Sequence, residues 1–200
     1  MILPWRLTTA PPAANRSLGQ PVEASHVRHA TFSAGCFWGV EAAFRKVDGV
    51  VATEVGYTGG HALSPIYSDV CSHTTGHAEA VRVTYDASRV SYGELLDVFW
   101  SCHDPTWRDP EGDQSQYRSE IFTLDADQDR IARHSLAEVR AAGIFKGSIE
   151  TLIAPAGPFY RAEESHQQFY EKQGGHEVCH LGVAEVHTRV AAYSARYRMK

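Results

Sequence analysis

A cysteine at the end of a predicted strand is the first residue whose position suggests chemistry. In "SAGCFWGVEAAF" (33–44) a strand gives way to a glycine turn and a helix, and Cys36 lies at that junction. Unpaired backbone N–H groups at a helix N-terminus favour a thiolate, which is a nucleophile. Cysteine is also often a small buried hydrophobe. The position of Cys36 therefore supports either a nucleophilic thiol or a packed one.

Two large aromatic residues follow this cysteine directly. Phe37 and Trp38 occupy consecutive helical positions, and neighbours on a helix point about 100° apart. They cannot both face the core, so we expect at least one of them at the mouth of a pocket around the thiol. The alternative is a core aromatic residue on each flank of a turn.

Three further side chains could act on an oxygen atom of a ligand. Glu79 begins an otherwise apolar, alternating strand. It is either solvated at the strand end or held in a pocket, where burial would raise its pKa and let it act as an acid. Tyr67 in a long loop and Tyr117 in "QYRSEIF" are phenols that can donate hydrogen bonds to a ligand oxygen. Either tyrosine could instead be a packed loop residue.

The chain has eleven histidines, which raises the question of a metal site. His73 and His77 have i, i+4 spacing, but within a glycine- and threonine-rich loop. "HEVCH" (176–180) carries His176 and His180 around Cys179, without a C-x-x-C pair. A zinc site typically needs four ligands at defined spacings, so we predict no metal.

The pattern of elements predicts how these residues are positioned. A strand (29–35), a helix from Cys36 to Lys46 and a strand (50–57) form a βαβ unit. A loop (58–77), which we expect to be functional, leads to the strand 78–86.

The second half also alternates between strands and helices. A capping box of Ser91 and Glu94 opens the helix that follows the strand 78–86. Asp125 and Gln128 open a later helix, which Gly143 closes. The remaining predicted elements are a loop (101–116), strands (117–124 and 148–155), a short helix (162–172) and a terminal helix (184–197). This order predicts an α+β sandwich.

Composition is that of an ordinary soluble domain. The 200 residues are 43% hydrophobic and 22% charged, with a net charge of −5. Such a charge argues against nucleic-acid or membrane-surface partners, because there is no basic excess to neutralise phosphates. The first 25 residues contain no apolar stretch of the kind that a secretory signal requires. We expect a flexible arm (1–25) and a cytoplasmic protein with reduced thiols.

Several of these segments together resemble the type A peptide methionine sulfoxide reductases. The similarity covers about residues 29–172, and "GCFWG" and "GHAE" are its most specific parts. Its segments are "GCFWG" (35–39), "VGYTGG" (55–60), "TGHAEAV" (75–81), "FW..HDPT" (99–106), "QYRSEIF" (116–122) and "FYRAEESHQQFY" (159–170).

The resemblance implies a fold, a reaction and a reductant. The fold is a ferredoxin-like two-layer sandwich with additional strands and long loops. The reaction is reduction of the S epimer of methionine sulfoxide, free or in proteins, with no bound cofactor. Thioredoxin, or dithiothreitol in vitro, supplies the electrons. The domains would be a catalytic domain (26–172) and a C-terminal tail (173–200), in a monomer.

The resemblance also implies roles for individual residues. Cys36 is the nucleophile, and Glu79 is the acid that protonates the sulfoxide oxygen. Tyr67 and Tyr117 bind that oxygen, and Phe37 and Trp38 hold the S-methyl group. A sulfoxide sulfur is a poor electrophile until its oxygen is protonated or hydrogen-bonded, so these groups suit the reaction.

A second thiol must then remove the sulfenic acid left on the nucleophile. "EVCHLG" is similar to the tail segment that carries a recycling cysteine in many members of the family, which points to Cys179. Neighbouring glycines would let the tail approach Cys36, whereas we expect Cys102 to be packed against its helix. The segment after "HDPT" is two residues shorter than in the family, and Asp113 could replace an aspartate found there.

Two other classes of function compete with this one. A disulfide exchanger or peroxidase would need a C-x-x-C pair or an arginine beside the thiolate, and neither surrounds Cys36. A non-catalytic module that binds oxidised methionine or a metal would not consume thiols when substrate is added.

Overall fold

The structure, a computed structural model, describes residues 23–108, 110, 115–143 and 145–174. Most of the predicted arm (1–25), Asp113 and the predicted terminal helix (184–197) lie outside the described residues. The tail residues His176, Cys179 and His180 also lie outside them.

A mixed six-stranded sheet forms the centre of the described chain. Its order is β5-β4-β1-β3-β2-β6, and all neighbouring strands are antiparallel except the parallel pair β4 and β5. The strands are β1 (Val27–Ala34), β2 (Val50–Thr58), β3 (Ala78–Asp86), β4 (Ser119–Thr123), β5 (Leu152–Pro155) and β6 (Tyr160–Arg161). The predicted βαβ unit is split, because β3 lies between β1 and β2.

Five α-helices and a short 3-10 helix (Ala24–His26) accompany the sheet in the described residues. Local capping defines two of them: the Ser91 hydroxyl accepts from Glu94 N–H, and Asp125 accepts from Gln128 N–H at 2.8 Å. Gly143 ends α4 in the left-handed conformation. The helices are α1 (Phe37–Arg45), α2 (Tyr67–Val70), α3 (Tyr92–Cys102), α4 (Ala126–Ala142) and α5 (Phe169–Lys172).

The main core lies between one face of the sheet and the helices. Phe32 of β1 stacks on Phe44 of α1 at 5.0 Å between ring centroids, and it lies 5.5 Å from Phe99 of α3. Val81 of β3 joins this core, whereas the adjacent Ala80 joins a smaller cluster on the opposite face. Glu79 therefore points to the helix side of the sheet. The predicted α+β class is confirmed as a mixed sheet with packed helices.

Three local predictions differ from the structure. The loop 58–77 contains the one-turn helix α2, opened by Ile66 N–H donating to the Asp69 carboxylate at 3.1 Å. The strand β6 was not predicted. The helix predicted over 162–172 is wrong for most of its length, because turns occupy 164–168 and only Phe169–Lys172 is helical.

No helix within the described residues is both long and apolar enough to cross a membrane.

Candidate active site

Cys36 lies at the junction of β1 and α1. Gly35 has a φ of 87°, which lets the chain turn sharply after β1. Cys36 is half-buried and is the N-cap of α1, one position before the first helical residue. The thiol is thus carried at the positive end of the helix dipole, which favours its thiolate form.

Glu79 lies against the same helix end. Its side chain is 2% exposed, which rules out the solvated strand-end alternative. Oε2 accepts a hydrogen bond from the backbone N–H of Phe37 at 3.0 Å, and Oε1 accepts one from Gln116 Nε2 at 3.3 Å. A buried carboxyl group therefore meets the first turn of α1, one residue after Cys36.

The two phenols lie close to this carboxyl group. Burial raises the pKa of Tyr67, and a hydrogen bond with Cys71 and the charge of Glu79 raise it further. Burial also raises the pKa of Tyr117, as do the charges of Glu79 and Cys36. Both tyrosines therefore remain protonated donors at neutral pH, and the charge of Glu79 acts on both of them.

An aromatic cluster borders the thiol on another side. Phe37 is 1% exposed, while Trp38 is half-buried, as expected if only one of them faces the core. The Trp38 ring stacks on Phe169 at 4.0 Å, and its Nε1–H donates to His166 Nδ1 at 3.2 Å. The His166 ring also lies 4.5 Å from that of Tyr67. The cluster joins the aromatic and phenolic sides of the site.

Sequence reasoning missed Gln116, Glu163 and His166. Glu163 accepts from Tyr67 N–H at 2.8 Å and from the Tyr57 hydroxyl at 2.9 Å, so it fixes the start of α2. The only sequence feature that marks these three residues is that they lie inside "QYRSEIF" (116–122) and "FYRAEESHQQFY" (159–170). No local periodicity indicates contacts between residues so far apart in the chain.

The other two cysteines of the described chain differ in environment. Cys102 is 2% exposed, and burial raises the pKa of its thiol to about 12, so it is a packed and unreactive cysteine, as predicted. Cys71 is half-buried at the end of α2, with Gln116 Nε2 3.8 Å from its sulfur. Cys71 therefore borders the candidate site.

His77 has hydrogen-bond partners within the long loop. His77 Nδ1 accepts from Gly60 N–H at 3.1 Å, and its Nε2 lies 2.8 Å from the carbonyl oxygen of Ala62. Both ring nitrogens thus hold the loop together. Across the part of the chain that the structure describes, no three His, Cys, Asp or Glu side chains are grouped to hold a metal ion.

The arrangement is suited to an attack by sulfur on a centre whose oxygen is being protonated. It combines a thiol at a helix end, a buried carboxyl group, two protonated phenols and an apolar wall.

Comparison with known proteins agrees with this chemistry. The profile of the family "Peptide methionine sulfoxide reductase" matches residues 28–197. A relative from Methanothermobacter thermautotrophicus, "Peptide methionine sulfoxide reductase MsrA", is 56% identical over 150 residues, which are 74% of this chain and 89% of the relative.

Solved structures show the same fold. Reduced Mxr1 from Saccharomyces cerevisiae has a TM-score of 0.71 and 30% identity, covering 80% of this chain and 93% of that one. The structure of Mxr1 in complex with Trx2 matches with a TM-score of 0.53 and 23% identity, covering 76% and 91%. With a family profile across most of its length and a relative sharing more than half of the aligned residues, the chain belongs to the type A peptide methionine sulfoxide reductases, enzymes that reduce methionine sulfoxide with a thiol.

Proposed function

We propose that this chain reduces the S epimer of methionine sulfoxide, free or within proteins, with Cys36 as the nucleophile. The observation that carries this assignment of roles is the hydrogen bond from Phe37 N–H to Glu79 Oε2 at 3.0 Å. It brings a buried acid to the helix end that also carries Cys36.

The first step forms methionine and oxidises the enzyme. The Cys36 thiolate attacks the sulfoxide sulfur while Glu79 gives its proton to the sulfoxide oxygen, and Tyr67 and Tyr117 donate hydrogen bonds to that oxygen. Collapse of the adduct transfers the oxygen to Cys36, so that methionine leaves and a cysteine sulfenic acid remains. The substrate sulfur gains two electrons, and the cysteine sulfur loses two.

The aromatic cluster accounts for recognition of the methyl group. Phe37 and Trp38 supply an apolar surface next to the thiol, and His166 and Phe169 hold the Trp38 ring from two sides. An S-methyl group fits such a surface better than water does.

The second step returns the enzyme to its reduced form. The sulfenic acid condenses with the Cys179 thiol, which yields a disulfide and water. We propose thioredoxin as the protein that reduces this disulfide, because the structurally similar Mxr1 is known in complex with Trx2.

The same proposal includes the fold type, the division into domains, the location and the oligomeric state of the protein. The β1-α1-β2-β3-α3-β4 order, with β3 between β1 and β2, supports a ferredoxin-like core extended by β5 and β6. We assign catalysis to 26–172 and recycling to 173–200, with 1–25 as an arm, in a cytoplasmic monomer. Asp113 remains a candidate for an additional carboxylate near the site.

The test is a single turnover without external reductant. Reduced enzyme is mixed with each epimer of methionine sulfoxide, and the methionine released per chain is counted. We expect one methionine from the S epimer, none from the R epimer and none with Cys36→Ser, since serine is a far weaker nucleophile. Cys102→Ser is the control and should still release one. More than a few per cent of the wild-type yield with Cys36→Ser would contradict the assignment.

A further inference from the structure

Gln116 is a buried polar residue to which the proposed mechanism gives no role. It is 2% exposed and lies just before β4. Its backbone carbonyl accepts from Glu79 N–H at 2.8 Å. The same turn is fixed by Arg118, whose guanidinium donates to Gly76 O at 3.1 Å and whose carbonyl accepts from the Ser33 hydroxyl at 2.7 Å. Gln116 is therefore held rigidly beside Glu79.

The side-chain nitrogen of Gln116 reaches several groups of the site. Nε2 donates to Glu79 Oε1 at 3.3 Å and approaches Cys71 Sγ at 3.8 Å. The Gln116 side chain also hydrogen-bonds Tyr117, and Tyr67 hydrogen-bonds Cys71. One amide group thus contacts the acid, Cys71 and one of the two phenols, Tyr117.

The amide oxygen of Gln116, unlike its nitrogen, lacks a hydrogen-bond partner among the described residues. This atom, Gln116 Oε1, is fully buried. Leaving a buried acceptor unpaired is costly, and such groups are rare in folded proteins. In this orientation the amide N–H group, and not the amide oxygen, faces Glu79 and Cys71.

Donation to Glu79 Oε1 has a definite consequence for an acid. Oε2 already accepts from Phe37 N–H, so both carboxyl oxygens face N–H donors. Hydrogen-bond donors favour the ionised form of a carboxyl group, which is the form of Glu79 after it has given up its proton. The interaction therefore strengthens as the proton moves to the sulfoxide oxygen.

We propose that Gln116 is a positioning residue for sulfoxide reduction, whose side-chain N–H stabilises the carboxylate formed on Glu79 during proton transfer. This inference rests on the proposed function for its effect on rate. The contact between Gln116 and Glu79 is independent of the proposed function and can be tested by itself.

The first measurement is a titration of Glu79, which needs no activity. Protein with ¹³C-labelled glutamate carboxyl groups is titrated by NMR, and the Glu79 signal is assigned with Glu79→Gln. Tyr57, Tyr67 and Tyr117 also interact electrostatically with Glu79. The near-isosteric Gln116→Met keeps all three tyrosines, so the variant removes only the amide of Gln116. We expect the titration midpoint of Glu79 to be higher in Gln116→Met than in the wild type. Gln128→Met, at a buried glutamine of α4, is the matched control and should not move it.

The second measurement is the single-turnover rate of methionine release. Measured at a pH below both Glu79 midpoints, where this acid is protonated in both proteins, Gln116→Met should be about 10- to 100-fold slower, the usual scale for a hydrogen bond to a charged group. Glu79→Gln combined with Gln116→Met should be no slower than Glu79→Gln alone, because Gln116 acts through Glu79. If Gln116→Met does not fold, Gln116→Asn, which is one methylene shorter, carries the same expectations.

An unchanged or lower midpoint would overturn the inference, as would an unchanged rate or a further loss of rate in the double variant. If the wild type releases no methionine, the proposed function fails, whereas the titration still decides whether Gln116 stabilises the Glu79 carboxylate.

Discussion

The N-terminus of α1 contacts both groups between which negative charge moves in the proposed step, the Cys36 thiolate and the Glu79 carboxyl group. The N-terminus of α1 carries Cys36 as its N-cap, and its Phe37 N–H donates to Glu79. As the thiolate attacks and the acid loses its proton, negative charge leaves sulfur and develops on the carboxylate. Both positions lie at the positive end of the same helix dipole. The site thus needs little reorganisation when the charge moves, a feature common to preorganised active sites.

The role of Glu79 is the prediction that belongs to this scale. Glu79→Gln keeps the shape of the side chain but removes its transferable proton. We expect single-turnover methionine release to fall roughly 10²- to 10⁴-fold, the usual range for a positioned general acid. Rapid-quench measurement of methionine gives the rate. Glu54→Gln, at a β2 carboxylate that pairs with Arg82, is the control and should keep the wild-type rate. A wild-type rate with Glu79→Gln would remove Glu79 from the chemistry.

Residues whose neighbours are close in sequence were the ones that could be predicted. The strand-to-helix junction at Cys36 and the two aromatic residues after it are visible in twelve consecutive letters. Gln116 and His166 were not, because their partners Glu79 and Trp38 lie 37 and 128 residues away. No periodic pattern encodes such contacts.

At the scale of elements, the segment 162–172 is shaped by contacts with β2 and α1. The Gln167 side chain accepts from Val55 N–H and donates to Val55 O, both at 2.9 Å, and so it pairs with β2 like a short strand. Gln168 has a φ of 51°, and its N–H donates to Glu41 Oε2 at 2.7 Å. These distant partners replace the helix that composition predicts. By contrast, α3 and α4 were predicted correctly, since their caps are local.

Glu41 ties this segment to α1 and gives a prediction about pH. It is 1% exposed, and burial raises its pKa, although hydrogen bonds from Thr53 and Gln168 act in the opposite direction. A carboxyl group whose pKa is raised by folding stabilises the fold fully below its unfolded value of 4.5, and this contribution is lost as pH rises through the folded pKa. Glu41→Gln has no proton to lose.

We therefore expect the free energy of unfolding of Glu41→Gln to increase relative to the wild type as pH rises above about 4.5. Urea unfolding of both proteins at a series of pH values measures the difference, and subtraction removes contributions from other groups. A difference that is constant with pH, or that changes in the opposite direction, would show that folding does not raise the pKa of Glu41.

At the scale of the whole molecule, helix α5 packs against the start of α1, next to the site. The Phe169 ring of α5 stacks on Trp38, two residues after Cys36, and α5 ends at Lys172. Five peptide units separate Gly174 from Cys179, and an extended chain covers about 3.3–3.6 Å per residue. A span of about 17 Å is thus available to bring Cys179 toward Cys36. The contact between α5 and α1 thus places the segment just before 173–200 beside the helix that begins after Cys36.

The last prediction concerns which thiol forms the disulfide. Cys102 is fully buried with its pKa raised to about 12, so it supplies no thiolate. Cys71 is half-buried, and hydrogen bonds with Gln116 and Tyr67 hold its thiol in place. We therefore expect Cys179 to be the thiol that approaches the sulfenic acid to the Cα separation of about 7 Å that a disulfide requires.

Cys179→Ser should therefore release one methionine per chain but not turn over with thioredoxin, whereas Cys71→Ser should do both. Peptide mapping of unreduced wild type after one turnover should show Cys36 linked to Cys179, because condensation of the sulfenic acid with that thiol expels water and leaves the bond. Full thioredoxin-driven turnover by Cys179→Ser, or a bridge from Cys36 to Cys71, would show that another thiol completes the cycle.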